Sequence, residues 1–255
     1  IPTPNLDRLA TEGVRFTDAH SASSVCTPTR YSVLTGRYAW RTHLQSGVLG
    51  GFTPALIAPD RMTVASLLKA NGYQTACIGK WHLGMTWPTR DHSSFDGEIQ
   101  DQKHHGQQLS QVDWNQPIGN GPITVGFDYF YGIAASLDMP PFVFIENDRV
   151  IAIPTTEKKW LRSGPAAADF EAEDVMPVLT QKAAGWIEQR ATERKPFFLY
   201  LAYSAPHTPI LPTKEWQGKS GLNAYADFVM QTDAAVGELL AVLQRLALAT
   251  NTLVI

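Results

Sequence analysis

The most restrictive feature of the sequence is an unbroken apolar run from Phe197 to Tyr203, which stands between two stretches with helical periodicity. A continuous run of this length predicts a strand that is buried on both faces. Helical spacing precedes it at 178–190, and a long helix is predicted after it at 222–248. Helices that alternate with buried strands predict an α/β fold, with a mainly parallel central sheet flanked by helices.

Capping and turn residues place the shorter elements. A threonine followed by proline starts a helix, and a glycine ends it. This pattern predicts short helices at 4–12 and 28–35, and a Thr63 cap with Gly72 as the stop predicts a third at 63–71. Short apolar segments predict strands at 14–17, 73–79 and 252–255, and a hairpin at 143–153. We expect one compact domain over residues 1–255 that is incomplete at both ends, because its first helix pattern and its last strand are both cut short. Residues 85–126 lack a sustained period and predict a surface excursion.

Composition excludes several classes of protein. The 255 residues carry a net charge of −3, which is too close to neutral for a nucleic-acid binder that relies on a general positive field. No apolar run approaches the roughly 18 residues of a membrane span. The two cysteines, Cys26 and Cys77, cannot form a disulfide framework.

Two segments carry residues with chemical potential. Cys26 lies just before the predicted helix 28–35, where free backbone N–H groups favour an anion, and Arg30 can turn back toward the same place. Lys80 and His82 follow the predicted strand 73–79 and point the same way, because side chains alternate along a strand. A buried cysteine beside a structural arginine, and a solvated lysine with a polar histidine, are the alternative interpretations. A third candidate, His207, lies between two prolines after the apolar run.

These segments resemble the signatures of the type I sulfatases, which are arylsulfatase-like, formylglycine-dependent hydrolases of the alkaline phosphatase superfamily. Cys-x-Pro-x-Arg at 26–30, followed by Leu-Thr-Gly, resembles the segment in which a maturation enzyme oxidises the cysteine to Cα-formylglycine. Gly-Lys-Trp-His-Leu-Gly at 79–84 is similar to the second signature. Pro-His-Thr-Pro at 206–209 resembles a segment whose histidine contacts the sulfate ester. Residues 132–138 are similar to a segment in which some members place a serine near the substrate, here Ser136.

The resemblance implies an alkaline-phosphatase-like fold, incomplete at both ends, and hydrolysis of sulfate esters with a bound divalent metal, usually Ca²⁺. Cys26, as formylglycine, would be the nucleophile and a metal ligand, and Arg30 would hold its hydrate. Lys80 and His207 would bind the sulfate, with His207 also helping to protonate the leaving group. His82 would be the base that drives sulfate release. The partners implied are a sulfated small molecule or glycan and the maturation enzyme.

The metal ligands are where the sequence departs from the family pattern. The family places an Asp-Asp pair upstream of this chain and an Asp-Asn pair beyond it, so we expect residues 1–255 by themselves to bind Ca²⁺ poorly. Two alternative functions remain open. One is a phosphomonoester or phosphonate hydrolase of the same superfamily, and the other is a non-catalytic protein that binds sulfated glycans. The family is commonly exported, which suggests a periplasmic or secreted protein.

Overall fold

The computed structural model describes residues 1–91, 111–193 and 195–255. These residues form two compact units. The first, which we call the sheet unit, comprises the described residues of 20–170 together with 196–202. The second, which we call the helical unit, comprises the described residues of 1–19, 171–195 and 203–255. The expectation of a single catalytic domain over 1–255 stays a prediction.

The helices and strands follow in this chain order: α1 (Pro4–Glu12), α2 (Cys26–Thr35), α3 (Val64–Ala70), β1 (Gln74–Lys80), β2 (Tyr129–Ile133), β3 (Ile145–Glu146), β4 (Arg149–Val150), β5 (Thr156–Lys159), β6 (Ser163–Ala166), α4 (Val175–Ala191), β7 (Phe197–Ala202) and α5 (Ala224–Arg245). Short 3-10 helices cover Ala39–Arg41, Pro122–Val125, Ala172–Asp174 and Ala249–Asn251. None of the described helices combines the length and apolar character needed to cross a membrane.

The sheet unit is built on a five-stranded sheet with the order β4-β3-β2-β1-β7. Strand β1 runs parallel to both β2 and β7, which confirms the predicted parallel centre. The predicted hairpin is also present as β3 and β4, and its antiparallel pairing makes the sheet mixed. A separate two-stranded sheet joins β5 and β6. The parallel strands bring their carboxyl ends to one edge, where ligands bind in α/β folds.

Three expectations about strands are wrong. Strand β7 is only half-buried before Ala202, because it lies at the sheet edge in the described chain and pairs with β1 alone. Segments 14–17 and 252–255 form no strand, are largely exposed, and pair with no described strand. An apolar run therefore does not become a strand without a neighbour to receive its backbone hydrogen bonds.

The described ends of segment 85–126 are anchored side by side. Isolated bridges pair Thr86 with Gly119 and Thr89 with Val112. Met85 and Val112 are fully buried. The middle of the segment, 92–110, lies outside the described residues, so the surface excursion stays a prediction.

The helical unit packs α5 against both α1 and α4. Buried Asp233 of α5 accepts hydrogen bonds from the backbone N–H groups of Asn5 (3.1 Å) and Leu6 (2.8 Å) and from the Asn5 side chain (2.8 Å). Thr3 stands at the predicted cap position but makes no side-chain cap bond. A distant carboxylate thus satisfies the free N–H groups that begin α1.

Two glycines allow the parallel strands of the sheet unit to approach closely. Gly132 of β2 pairs with Gly79 of β1, and a Cβ on Gly132 would lie 1.8 Å from the Gly79 carbonyl oxygen. Gly79 itself has a φ of +129°, and a Cβ there would lie 2.2 Å from the Ala202 oxygen. Backbone blocks each position, so neither site can accept a side chain without moving a strand.

We expect Gly132→Ala to lower the free energy of unfolding of the full-length protein by at least about 3 kcal/mol, because the added methyl overlaps the backbone of β1. Gly185→Ala in α4 is the matched control. Nothing lies within 4 Å of its new Cβ, so helix propensity should stabilise the protein by about 0.5–1 kcal/mol. Urea unfolding curves measure both changes. A Gly132→Ala protein as stable as wild type would contradict the close approach.

Asp128 anchors the start of β2 to α3 and β1. Its carboxylate pairs with Lys69 at 2.6 Å and accepts hydrogen bonds from the backbone N–H (3.0 Å) and hydroxyl (3.1 Å) of Thr75. Burial alone would raise the pKa of Asp128, but the hydrogen bonds from Lys69 and Thr75 outweigh it and lower the pKa. The stabilisation is therefore present above the usual aspartate pKa and is lost as the pH falls through the lower folded-state value.

We expect Asp128→Asn to lower the free energy of unfolding by about 1 kcal/mol at neutral pH, since one partly exposed ion pair and its charged acceptor are lost. The difference from wild type should vanish as acid protonates Asp128. Exposed Asp60 supplies the control Asp60→Asn, which should change stability by less than about 0.5 kcal/mol. A pH-independent loss in Asp128→Asn would contradict the assigned ion pair.

Candidate active site

Helix α2 begins at Cys26, two residues earlier than the sequence pattern predicts. The residue before it, Val25, is extended and makes no side-chain cap bond. At the other end, Gly36 has a φ of +67° and its N–H bonds to the Ser32 oxygen at 2.8 Å. Cys26 thus occupies the first turn, where unpaired N–H groups and the helix dipole favour negative charge.

Two side chains fasten α2 to the segment that ends β1. The buried Thr27 hydroxyl donates to the His82 carbonyl at 3.0 Å and accepts from the Leu49 N–H at 3.2 Å. Arg30 donates from its guanidinium to the carbonyl of Lys80. These bonds bring Cys26 beside the ends of Lys80 and His82. The sequence pattern predicts only a capping role for Thr27, because its hydrogen-bond partners, His82 and Leu49, are distant in the sequence.

Lys80 is the last residue of β1 and is only 1% exposed. Burial, as the main cause, lowers the pKa of Lys80 to about 8, and the Arg30 charge lowers it further. A hydrogen bond with Cys26 and the negative charge of Asp138 oppose this shift. A solvated lysine is therefore the wrong interpretation. This buried cation is positioned to bind an anion beside Cys26.

His82 is fully buried with a left-handed φ of +56°. Its Nε2 lies 2.6 Å from the Leu49 carbonyl oxygen, which can only accept, so Nε2 carries the proton. The other nitrogen, Nδ1, is also buried. Burial lowers the pKa of His82, although nearby Cys26 opposes the effect. The ring is therefore neutral at pH 7, with Nδ1 able to accept a proton.

The loop after β2 lies beside this group. Backbone pairing continues past the strands, since Trp81 N–H donates to the Ile133 oxygen at 3.0 Å and His82 N–H to the Ala134 oxygen at 2.9 Å. Ser136, the serine candidate, is buried in this loop. The same loop contributes buried Asp138, which no sequence motif singled out. The structure thus groups Cys26, Arg30, Lys80 and His82 at the carboxyl edge of β1.

His207 belongs to the helical unit and is exposed. Its Nδ1 lies 2.6 Å from the Thr208 oxygen, and its N–H bonds to the Ser204 oxygen at 3.0 Å. Cis peptide bonds at Ala205-Pro206 and Thr208-Pro209 flank it. Its contribution to the site stays a prediction, as does that of Ser136.

The described residues do not fit the calcium ion that the resemblance implies. Calcium prefers six to eight oxygen ligands. Within 1–91, 111–193 and 195–255, no group of three or more His, Cys, Asp or Glu side chains is placed to hold a metal ion.

Comparison with known proteins places this chain in a family. A family model described as Sulfatase matches residues 1–255. The chain is 30% identical to an N-acetylgalactosamine-6-O-sulfatase of Bacteroides thetaiotaomicron, with 100% of this chain and 53% of the relative covered. It is 31% identical to human steryl-sulfatase, covering 100% of this chain and 49% of that protein. The chain therefore belongs to the sulfatase family, and it spans about half the length of these relatives.

A solved structure agrees with this assignment. It comes from work on the metabolism of multiple glycosaminoglycans by Bacteroides thetaiotaomicron and superposes with a TM-score of 0.80 at 30% identity. The match covers 98% of this chain and 55% of that one. The fold class is thereby confirmed as the α/β, alkaline-phosphatase-like fold of sulfatases.

The two cysteines should differ sharply in reactivity. Cys26 is partly exposed, whereas Cys77 is fully buried in β1 and burial raises its pKa. In protein produced without a maturation enzyme, we expect iodoacetamide to alkylate Cys26 and to leave Cys77 unmodified. Peptide mass spectrometry measures both sites, and unfolding in guanidinium chloride should make both reactive. Equal labelling of the native protein would contradict the burial of Cys77.

Proposed function

We propose that the full-length protein hydrolyses sulfate esters through a formylglycine made from Cys26. The observation that carries this proposal is the grouping of Cys26, at the start of α2, with buried Lys80 and neutral His82. A cation to hold an anionic ester and a base beside one nucleophilic residue are what such a reaction requires. Membership of the sulfatase family supports the same activity.

The proposed modification changes the side chain of Cys26 from a thiol to an aldehyde. The β-carbon loses two electrons to an oxidant that the maturation enzyme supplies, sulfur leaves as sulfide, and oxygen takes its place. Part of Cys26 is exposed. Hydration of the aldehyde then places two hydroxyl groups on one carbon, which a serine cannot provide.

Hydrolysis proceeds by a displacement at sulfur followed by an elimination. One hydroxyl of the hydrate loses its proton and attacks sulfur, and the bond between sulfur and the alcohol oxygen breaks as that oxygen takes a proton. The residue then carries a covalent sulfate. Removal of the proton from the second hydroxyl re-forms the carbonyl, breaks the bond between carbon and the sulfate oxygen, and releases sulfate. The aldehyde is regenerated without attack of water on sulfur.

The roles of the neighbouring residues follow from their charge. Lys80, cationic below about pH 8, binds sulfate oxygens and offsets negative charge in the transition state. Neutral His82 takes the proton of the second hydroxyl on Nδ1. Arg30 holds the hydrate. We assign sulfate contact and leaving-group protonation to His207, and a substrate contact to Ser136, from the family resemblance alone.

The substrate proposed at this level is the class of sulfate esters. The relatives are named for an amino-sugar sulfate and for steryl sulfates, so their names do not define one substrate. A maturation enzyme is the proposed protein partner, and a periplasmic or secreted location is proposed from the family resemblance. Ca²⁺ receives no role, since the described residues provide no cluster of ligands for it.

Mass spectrometry of the natural protein tests the proposal directly. We expect the peptide that contains residue 26 to be about 18 Da lighter than the thiol form, because an aldehyde replaces the thiol carbon. We also expect Cys26→Ala to abolish sulfate ester turnover without changing the unfolding curve. Cys77→Ala, the matched control, should keep its activity. An unmodified thiol in protein matured with a competent enzyme, or turnover by Cys26→Ala, would overturn the mechanism, and faster cleavage of phosphate esters would favour the related hydrolase class.

A further inference from the structure

The sequence contains two Asn-Gly pairs, Asn71-Gly72 and Asn120-Gly121, and both asparagines are exposed. Asparagine is a thermolabile residue. The backbone nitrogen of the next residue attacks its side-chain carbonyl carbon, and a glycine there leaves the path open because it has no Cβ. The two pairs therefore share the same intrinsic chemistry, and only the hydrogen bonds that the fold gives each of them differ.

The fold protects the first pair. Its attacking nitrogen belongs to the backbone N–H of Gly72, which donates to the Lys69 oxygen at 3.0 Å. Its leaving group is held as well, because Nδ2 of Asn71 donates to the Leu67 oxygen at 2.8 Å. Both bonds close the last turn of α3, where Asn71 is the cap residue. The turn must open locally before the Gly72 nitrogen can react.

The fold leaves the second pair open to attack. The N–H of Gly121 makes no hydrogen bond within the described residues, although its carbonyl oxygen accepts from the Thr124 N–H at 3.1 Å. A Cβ built on Gly121 would meet nothing within 4 Å. Asn120 has a left-handed φ of +50° and a glycine on each side. Neighbours without a Cβ offer little steric resistance when this backbone rotates, so the nitrogen of Gly121 is free to approach the side chain.

One hydrogen bond restrains the side chain of Asn120. Its Nδ2 donates to Oγ1 of Thr86 at 2.9 Å. This contact lies next to the bridge in which Thr86 and Gly119 exchange backbone hydrogen bonds of 2.7 and 2.8 Å. Among the described residues, a single bond therefore restrains the reacting groups of Asn120-Gly121, whereas two restrain those of Asn71-Gly72.

We propose that Asn120 is a site of spontaneous deamidation and that the fold protects Asn71 from the same reaction. The Gly121 nitrogen bonds to Cγ of Asn120 and loses its proton, the bond from Cγ to Nδ2 breaks, and ammonia leaves. Water then opens the resulting succinimide ring at either carbonyl and gives aspartate or isoaspartate. Water is the only co-reactant, and nothing is oxidised or reduced. This modification goes beyond the proposed catalytic function and does not depend on it.

The product changes the contact between the two described ends of segment 85–126. The Nδ2 donor is lost, and a negative charge appears beside Thr86. In isoaspartate the chain also runs through Cβ, which adds one atom to the backbone directly after Gly119. We expect hydrogen exchange at the amides of Thr86 and Gly119 to become about fivefold faster in the isoaspartate form, the value of one hydrogen bond.

Incubation of the full-length protein followed by peptide mass spectrometry tests the proposal. We expect the peptide that contains Asn120 to gain about 1 Da, because oxygen replaces NH in the side chain. The rate should rise with pH, since the attacking nitrogen must lose its proton. Deamidation at Asn71 should be at least about fivefold slower, because one further hydrogen bond must open first. Unfolding in guanidinium chloride should bring the two rates together.

Two variants separate the contribution of the fold from that of the sequence. Gly121→Ala should abolish most of the deamidation and leave the unfolding curve unchanged, because the new Cβ shields the attacking nitrogen and enters open space. Thr86→Val removes the hydroxyl that holds Nδ2 and should speed the reaction by about fivefold. Equal rates at Asn71 and Asn120 in the folded protein would overturn the proposal. A stable Asn120 under conditions that deamidate the unfolded chain, or a Gly121→Ala rate equal to that of wild type, would overturn it as well.

Discussion

The hydrogen bonds of Thr27 and Arg30 fasten the first turn of α2 to the backbone that ends β1. Thr27 bridges the His82 carbonyl and the Leu49 N–H, and Arg30 reaches the Lys80 carbonyl. Leu49 also accepts from His82 Nε2, so one loop residue orients both the helix and the imidazole. The positions of Cys26, Lys80 and His82 relative to one another depend on these hydrogen bonds, because Cys26 is distant from the other two residues in the sequence.

The contact between the first turn of α2 and the end of β1 includes groups that are costly to bury. Lys80 is almost fully buried beside the Arg30 guanidinium, and its pKa falls accordingly. His82 adopts a left-handed backbone conformation, and its ring is fully buried. Asp138 keeps an oxygen on the adjoining loop that is unpaired within the described part of the chain. Unfavourable features concentrated at one sheet edge are typical of functional sites, where a bound ligand supplies the missing interactions.

Sequence reasoning succeeded where local signals govern the structure. Thr3-Pro4 and Gly13 located α1, Thr63 and Gly72 located α3, and the hairpin predicted at 143–153 is present as β3–β4. It failed where a distant neighbour decides the outcome. Strand β2 was missed because its place is set by pairing with β1 and by the Asp128 contacts to Lys69 and Thr75. Asp233 caps α1 from more than 200 residues away, which no local pattern can reveal.

The sequence by itself determined the α/β class, the sulfatase signatures around Cys26 and Lys80, and the order of the elements, because these depend on residue type and short spacing. Only the tertiary structure decided that Lys80 is buried with a lowered pKa, that His82 presents Nδ1 as its unprotonated nitrogen, and that Asp138 is buried in the loop after β2. Burial and hydrogen-bond partners depend on which segments pack together. Those contacts join residues tens of positions apart, and only the folded chain brings them within bonding distance.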